Sequence, residues 1–315
     1  MKQIFIGTMV VFLAIPSLVL GYEIEKNPSL PVENSFIVGP AKIEAEIAEG
    51  GVKTVLLNVE NRTGRSQTFK ISFDDFTAGI EEGETVSIGG GKSEETSLRS
   101  FLFVEKKEFT LDHGDRLLLP VTISIPAGTP AGTRLGAVLV SSAKIVDRIT
   151  DDARAYSATN VVGQIATLVF VNVPGNVNAE GKLEAIKTKN NVRIFWGAPI
   201  NLQILFRNSG EVYLNPYGKV DVTNMFGRQV SSYVLDPWFT LPNSLRTREI
   251  VLSKGLTFGK YTAIAYLNRG YGDIVDEKRI SYFVFPPGYV VLIIIFVSAL
   301  LYGVKKIFTR NRAVV

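Results

Sequence analysis

Val52-Lys53-Thr54-Val55-Leu56-Leu57-Asn58-Val59 and Thr68-Phe69-Lys70-Ile71-Ser72-Phe73 set apolar against polar residues every second position. A chain whose side chains alternate faces can bury one face and wet the other only as a strand. Between the two runs lies Glu60-Asn61-Arg62-Thr63-Gly64-Arg65, where Asn and Gly supply the dihedrals of a turn. The period of two continues in Leu117-Leu118-Leu119-Pro120-Val121-Thr122-Ile123-Ser124-Ile125, a Pro/Gly turn at 126–130, and Leu135-Gly136-Ala137-Val138-Leu139-Val140. Short strands at steady spacing predict an antiparallel β-sandwich.

A second strand-rich block follows the run 164–173 (QIATLVFVNV) and the breaker Pro174-Gly175. Its strands are predicted near 192–196, 200–206, 219–222, 248–252 and 261–266, with turns at Asn208-Ser209-Gly210, Asn215-Pro216-Tyr217-Gly218 and Phe226-Gly227-Arg228. The two blocks echo each other. Residues 55–64 and 202–210 both read as a strand closing in Asn-x-(x)-Gly, which argues for a shared architecture. The fold class expected is all-β: two tandem immunoglobulin-like antiparallel sandwiches followed by one C-terminal transmembrane helix. The polar insertion 80–97 (IEEGETVSIGGGKSEETS) is expected as an exposed loop or poorly ordered hairpin. Its Gly89-Gly90-Gly91-Lys92-Ser93 lacks the spacing of a phosphate-binding loop.

The ends suggest export. Lys2 and the apolar run 4–20 lead to Val19-Leu20-Gly21, so cleavage before Tyr22 is expected, with an uncleaved signal anchor as the rival. Residues 289–304 carry no charge and stop at Lys305, Lys306, Arg310 and Arg312. Extended to 283–308, the run is read as crossing about 30 Å of hydrocarbon with its basic flank in the cytoplasm. The expected layout is a signal peptide (1–21), a first sandwich (22–174), a second (175–285), a transmembrane helix (286–308) and a cytoplasmic basic tail (309–315). The localisation expected is a single-pass type I protein of the cell membrane, with the bilayer as a partner.

Composition narrows the chemistry. The 315 residues contain no cysteine, so no disulfide holds the chain. The net charge of +4 is small and scattered among acids, which gives no basic face for nucleic acid. The one histidine, His113, sits in the turn Leu111-Asp112-His113-Gly114-Asp115, a poor place for a catalytic triad. Zinc would need several His or Cys ligands. The pairs Asp74-Asp75, Glu94-Glu95 and Asp151-Asp152 fit no calcium loop and are read as solvated turns. Asn61-Arg62-Thr63 matches the glycosylation triplet without further support. No catalytic, metal or cofactor-binding residue is expected.

Aromatics remain. Tyr213, Tyr217, Phe226, Tyr233, Trp238 and Phe239 crowd the second block, with Arg228, Arg246 and Arg248 close in sequence. They either fill the sandwich core or offer an interaction surface, for which the candidates are Tyr213, Tyr217, Arg228, Trp238 and Arg246.

The pattern resembles the bacterial WxL-interacting protein family, with a peptidoglycan-binding DUF916-like domain, a second domain and a C-terminal membrane helix. The resemblance lies in residues 36–44 (FIVGPAKIE), the Gly50-Gly51 turn, 55–61, 117–126 and 136–140, and in 206–210, 216–220 and Phe226-Gly227 of the second half. The loop 80–97 departs from it, and no peptidoglycan-contacting residue carries over. It implies a non-enzymatic membrane-anchored surface protein that binds cell wall or partner proteins. The alternative is a membrane-tethered assembly factor that completes a partner's sheet by strand addition, and a free edge strand in the first domain would favour it.

Overall fold

Twelve strands precede residue 174 in the computed structural model, which describes residues 22–79, 86–89, 96–143, 162–253 and 256–312. They are β1 (Glu23–Lys26), β2 (Ser35–Gly39), β3 (Lys42–Glu46), β4 (Val52–Arg62), β5 (Gln67–Asp74), β6 (Phe76–Ala78), β7 (Val86–Ile88), β8 (Leu102–Phe103), β9 (Glu108–Leu111), β10 (Asp115–Ser124), β11 (Gly132–Ala143) and β12 (Val162–Val173). One sheet runs β1-β10-β4-β2, with β8 also on β10, and the facing sheet runs β3-β12-β11-β5-β9.

Alternation becomes packing here. Leu57 and Val59 of β4 and Leu117, Leu119, Val121 and Ile123 of β10 point inward and are fully buried, against Phe69, Ile71, Val138, Val140, Val169 and Val171 of the facing sheet. Each such side chain contributes roughly 1.5–3 kcal/mol by leaving water. The chain passes from the first sheet to the second between β2 and β3, through a cis Gly39–Pro40 bond.

β11 and β12 are apolar on both faces. Their alternate residues Leu135, Ala137, Leu139 and Phe170 enter a separate cluster on the outside of the sheet, with Phe76 and with Leu241 of the second half. The near-continuous hydrophobic run 164–173 follows from this double burial. Within the insertion expected as a loop, β7 pairs with β6, Phe76 opposite Ile88 and Ala78 opposite Val86. The rest of it, 80–85 and 90–95, lies outside the described residues.

The second half holds β13 (Gly181–Thr188), β14 (Ile194–Phe195), β15 (Ile200–Asn208), β16 (Tyr217–Asn224), β17 (Gln229–Leu235), β18 (Ser244–Leu252), β19 (Gly259–Asn268) and β20 (Val275–Val284). Sheets β13-β15-β18 and β14-β20-β19-β16-β17 enclose a core of Leu202, Ile204, Phe206, Val220, Val222, Ala263, Ala265 and Tyr282. The chain is an all-β, immunoglobulin-like sandwich protein.

The echo between the blocks has a physical cause. Asn61 is the last residue but one of β4 and Asn208 ends β15, and both are buried, at 0% and 1% exposure. Each accepts at Oδ1 from the backbone N–H two residues on, Thr63 (2.9 Å) and Gly210 (2.9 Å). Each donates from Nδ2 to the carbonyl four residues on, Arg65 (2.8 Å) and Val212 (2.8 Å). Each also reaches one distant carbonyl, Leu111 (2.8 Å) and Thr240 (3.0 Å). A side-chain amide thus pins the same turn to the same neighbouring segment in both halves. Asn61, locked in this way, is no exposed glycosylation acceptor.

One α-helix, α1 (Pro287–Arg312), follows β20. Among the described residues no helix is long and apolar enough to cross a membrane. This corrects the transmembrane helix expected at 286–308, the bilayer partner and the type I location in the cell membrane. Within α1 the uncharged part, 287–304, rises only about 27 Å, less than the roughly 30 Å of a hydrocarbon core. The signal peptide expected at 1–21, and 313–315 of the basic tail, lie outside the described residues.

Candidate functional site

Residues 162–167 of β12 form an open edge. β12 pairs antiparallel with β11 along its whole length, from Val162 opposite Ala143 to Val173 opposite Gly132. On its other side it meets β3, in parallel, only from Leu168 opposite Lys42 to Asn172 opposite Glu46. Among the described residues, no strand pairs with 162–167 on that side. The Leu168 N–H donates to the Ala41 carbonyl at 3.0 Å, so it points toward the β3 side. With a period of two, the N–H and C=O groups of Ala166 and Gln164 point the same way, where among the described residues no strand meets them.

Edges are normally blunted by charge, shortness, proline or a bulge. The other edges here follow that rule. β1 carries Glu23, Glu25 and Lys26, β18 carries Arg246, Arg248 and Glu249, and β9 has only four residues, preceded by Lys106 and Lys107. β17 is bulged, its register against β16 shifting between Val222 and Thr223. β2 is five residues long and is followed by Pro40. The stretch 162–167 (VGQIAT) has no charge, no proline and no bulge. It faces β2 across the seam of the sandwich, where Phe36 packs on Phe69 (ring centroids 5.2 Å apart) and a Cβ at Gly163 would stand 3.4 Å from the Phe36 ring. Ile165 is half-buried and Gln164 exposed.

Where the open edge ends, the two halves meet. Lys42, at the start of β3, lies 5.4 Å from the Phe170 ring and 5.6 Å from the Phe239 ring, and pairs with Glu44 at 2.9 Å. Phe170 packs against Phe76, Tyr213 and Phe239, with centroids 5.2, 5.1 and 5.1 Å away. Burial raises the Glu44 carboxyl, but hydrogen bonds from Lys42, Tyr213 and Asn215 and the Lys42 charge outweigh it and hold the group below its usual range. Burial, with the Glu44 charge, pushes the Tyr213 phenol up to about 12. Arg246 donates to the Phe239 carbonyl and stacks 4.1 Å from its ring. Burial and the charge of Arg248 push its guanidinium down to about 10. The backbone joins the halves too: Thr133 N–H donates to the Glu211 carbonyl (3.2 Å), and Tyr213 N–H to Thr133 Oγ1 (2.9 Å). Beside these bonds lies a cavity of about 540 Å³, lined by Thr96, Ala131, Arg134, Glu211, Pro242 and Asn243 among others.

Of the residues singled out in the sequence, the structure brings Tyr213 and Phe239 onto the Phe170 ring and sets Arg246 over Phe239. Trp238 is 4% exposed in the core of the second half. Tyr217 is exposed at the start of β16, and Arg228 is exposed in the β16–β17 turn, its N–H on Asn224 Oδ1 (3.0 Å). Sequence reasoning missed Lys42, Glu44 and Phe170, and it missed the backbone of 162–167. The available signal was the run 164–173, too apolar for a strand with one wet face. His113 holds a turn: its Nε2 pairs with the Leu30 carbonyl at 2.9 Å, and its Nδ1 accepts from Gly64 N–H at 3.3 Å. Asp75 accepts from Leu98 N–H, Arg99 N–H and Ser97 Oγ. No cluster of possible metal ligands occurs among the described residues.

No family model matches the chain, and no curated protein matches it. Several solved structures align loosely. One is the class 5 fimbriae chaperone CfaA, 14% identical with a TM-score of 0.38, covering 80% of this chain and 100% of that one. Another is the Pseudomonas aeruginosa CupB2 chaperone, 12% identical with a TM-score of 0.35, covering 79% and 100%. A third is a PapD-like domain of human CEP192, 11% identical with a TM-score of 0.30, covering 50% and 98%. Such scores carry neither family nor activity. The resemblance to the WxL-interacting, DUF916-like family is corrected: no family model matches the chain, and among the described residues no helix supplies the C-terminal membrane span of that layout. With it falls the membrane-anchored binder of peptidoglycan or surface proteins, since among the described residues no helix can cross a membrane.

Proposed function

We propose that the chain is a non-enzymatic assembly factor that receives an extended segment of a partner protein by β-strand addition on β12. The observation that carries this is the open, uncharged edge at 162–167, in a molecule whose other edges are blunted. Main-chain hydrogen bonds would provide affinity, and side chains at alternate positions would provide selectivity. The inward residues of the added segment would cover Phe36 and Ile165, so the fitting partner is a protein subunit with an unpaired segment apolar at every second residue. In this reading residues 22–174 supply the edge and residues 175–285 brace it through the Lys42, Glu44 and Phe239 contact.

Amide hydrogen exchange on the full chain tests it. In dilute protein the Gln164 and Ala166 amides should exchange fast, while Ile165 and Thr167, facing β11, stay protected. Added heptapeptides alternating valine and threonine should protect Gln164 and Ala166. Protection of both in dilute, monomeric protein before any peptide is added, or exchange unchanged at saturating peptide, refutes the proposal.

A further inference from the structure

We propose that, with no partner present, the open edge of β12 is covered by the same edge of a second copy, which makes the free protein a two-fold dimer that excludes its own ligand. The proposal rests on the strand-addition reading and concerns the regulation of that site. A strand laid antiparallel on an identical strand is self-complementary, because the same patch serves both sides of the axis.

The geometry selects one register. The outward groups belong to Gln164 and Ala166, since Leu168, the next in that series, already donates to Ala41. Placing the axis at Ile165 sets Gln164 opposite the other copy's Ala166, and each exchanges N–H and C=O with its counterpart as a closely spaced antiparallel pair. Ile165 then meets its own copy across the axis, on the inner side near Phe36. β3 closes the edge from Leu168 onward, so the contact ends where β3 begins.

Charge permits this pairing here and opposes it on neighbouring edges. The stretch 162–167 has no ionisable side chain, so no like charges face one another across the axis. The same operation on β18 would bring Arg246 and Arg248 toward their own copies, and on β1 it would set Glu23 and Glu25 among like acids. The pairing joins two β3-β12-β11-β5-β9 sheets into one continuous sheet and removes the exposed edge from solvent.

The test is concentration-dependent sedimentation of the full chain, with amide exchange measured at both ends of the range. Gln164→Pro removes an outward N–H and no bond to β11, the position where an edge strand tolerates proline. The wild type should pass from monomer to dimer as concentration rises, with Gln164 and Ala166 gaining protection together. Gln164→Pro should weaken the association at least roughly tenfold, with an unchanged far-UV spectrum. Gln164→Lys, which leaves the backbone intact and adds an edge charge, should weaken it as well. Self-association that survives both substitutions, or dimerisation without protection at Gln164 and Ala166, would place the contact elsewhere and overturn the proposal. So would amides still unprotected at the highest concentration; if valine–threonine heptapeptides then protected them, strand addition would stand and only the self-covering would fall.

Discussion

Replacing Asn208 by alanine should destabilise the second half by about 3 kcal/mol. The side chain is 1% exposed and makes three hydrogen bonds, to Val212 O at 2.8 Å, Thr240 O at 3.0 Å and from Gly210 N–H at 2.9 Å. Each is worth about 1 kcal/mol net, and the carbonyls left without a donor add to the loss. Asn208→Asp should cost more, about 4–5 kcal/mol, because an oxygen would replace the donor that faces two carbonyl oxygens in a buried site. Both tryptophans, Trp196 and Trp238, lie in the second half, so their fluorescence during urea unfolding reports on that half. With a slope near 2 kcal/mol/M the alanine variant should move the midpoint down by roughly 1.5 M. Asn61→Ala, which removes the equivalent bonds from the first half, should shift far-UV unfolding by a similar amount and the tryptophan transition by less. The reasoning fails if Asn208→Ala falls within about 0.5 kcal/mol of wild type, or if aspartate is tolerated better than alanine.

Three further outcomes are expected. Phe170→Ala empties a fully buried ring site between the halves and should cost about 3–5 kcal/mol in thermal or urea unfolding, with the far-UV and tryptophan transitions separating. Gly218→Ala would put a Cβ 2.0 Å from the Tyr266 carbonyl oxygen, so β16 must move away from β19, and a loss of more than about 2 kcal/mol is expected in the same assay. For pH, the Tyr213 phenol holds its proton in the fold up to about 12, above the ordinary value of 10.0. The folded state therefore binds more protons than the unfolded chain between those values, and stability should fall as pH rises through that window. The Glu44 carboxyl is shifted the opposite way, so its contribution is present above its ordinary value of 4.5 and is lost as pH falls through the folded-state value. Tyr213→Phe should flatten the alkaline limb and Glu44→Gln the acidic limb in unfolding measured against pH.

Strand identity was legible in residues 52–59, 68–73 and 117–125 because burial on one face dictates a period of two, and that constraint is local. The Asn-x-(x)-Gly echo was legible for the same reason: each asparagine serves its own turn through the N–H two residues on and the carbonyl four residues on. Their third bonds, to Leu111 and Thr240, were invisible, since nothing nearby in sequence names a carbonyl 50 or 32 residues away. Trp238 shows the limit for side chains, because an aromatic residue reads alike whether it fills a core or meets a partner. The open edge of β12 lay furthest from view. Its residues look like those of any buried strand, and it is open only because β3 stops pairing at Lys42. Composition and periodicity therefore determine that this chain forms sandwiches and where its turns lie. Which strand is left without a neighbour depends on the pairing of segments more than a hundred residues apart, and only the tertiary structure decides that.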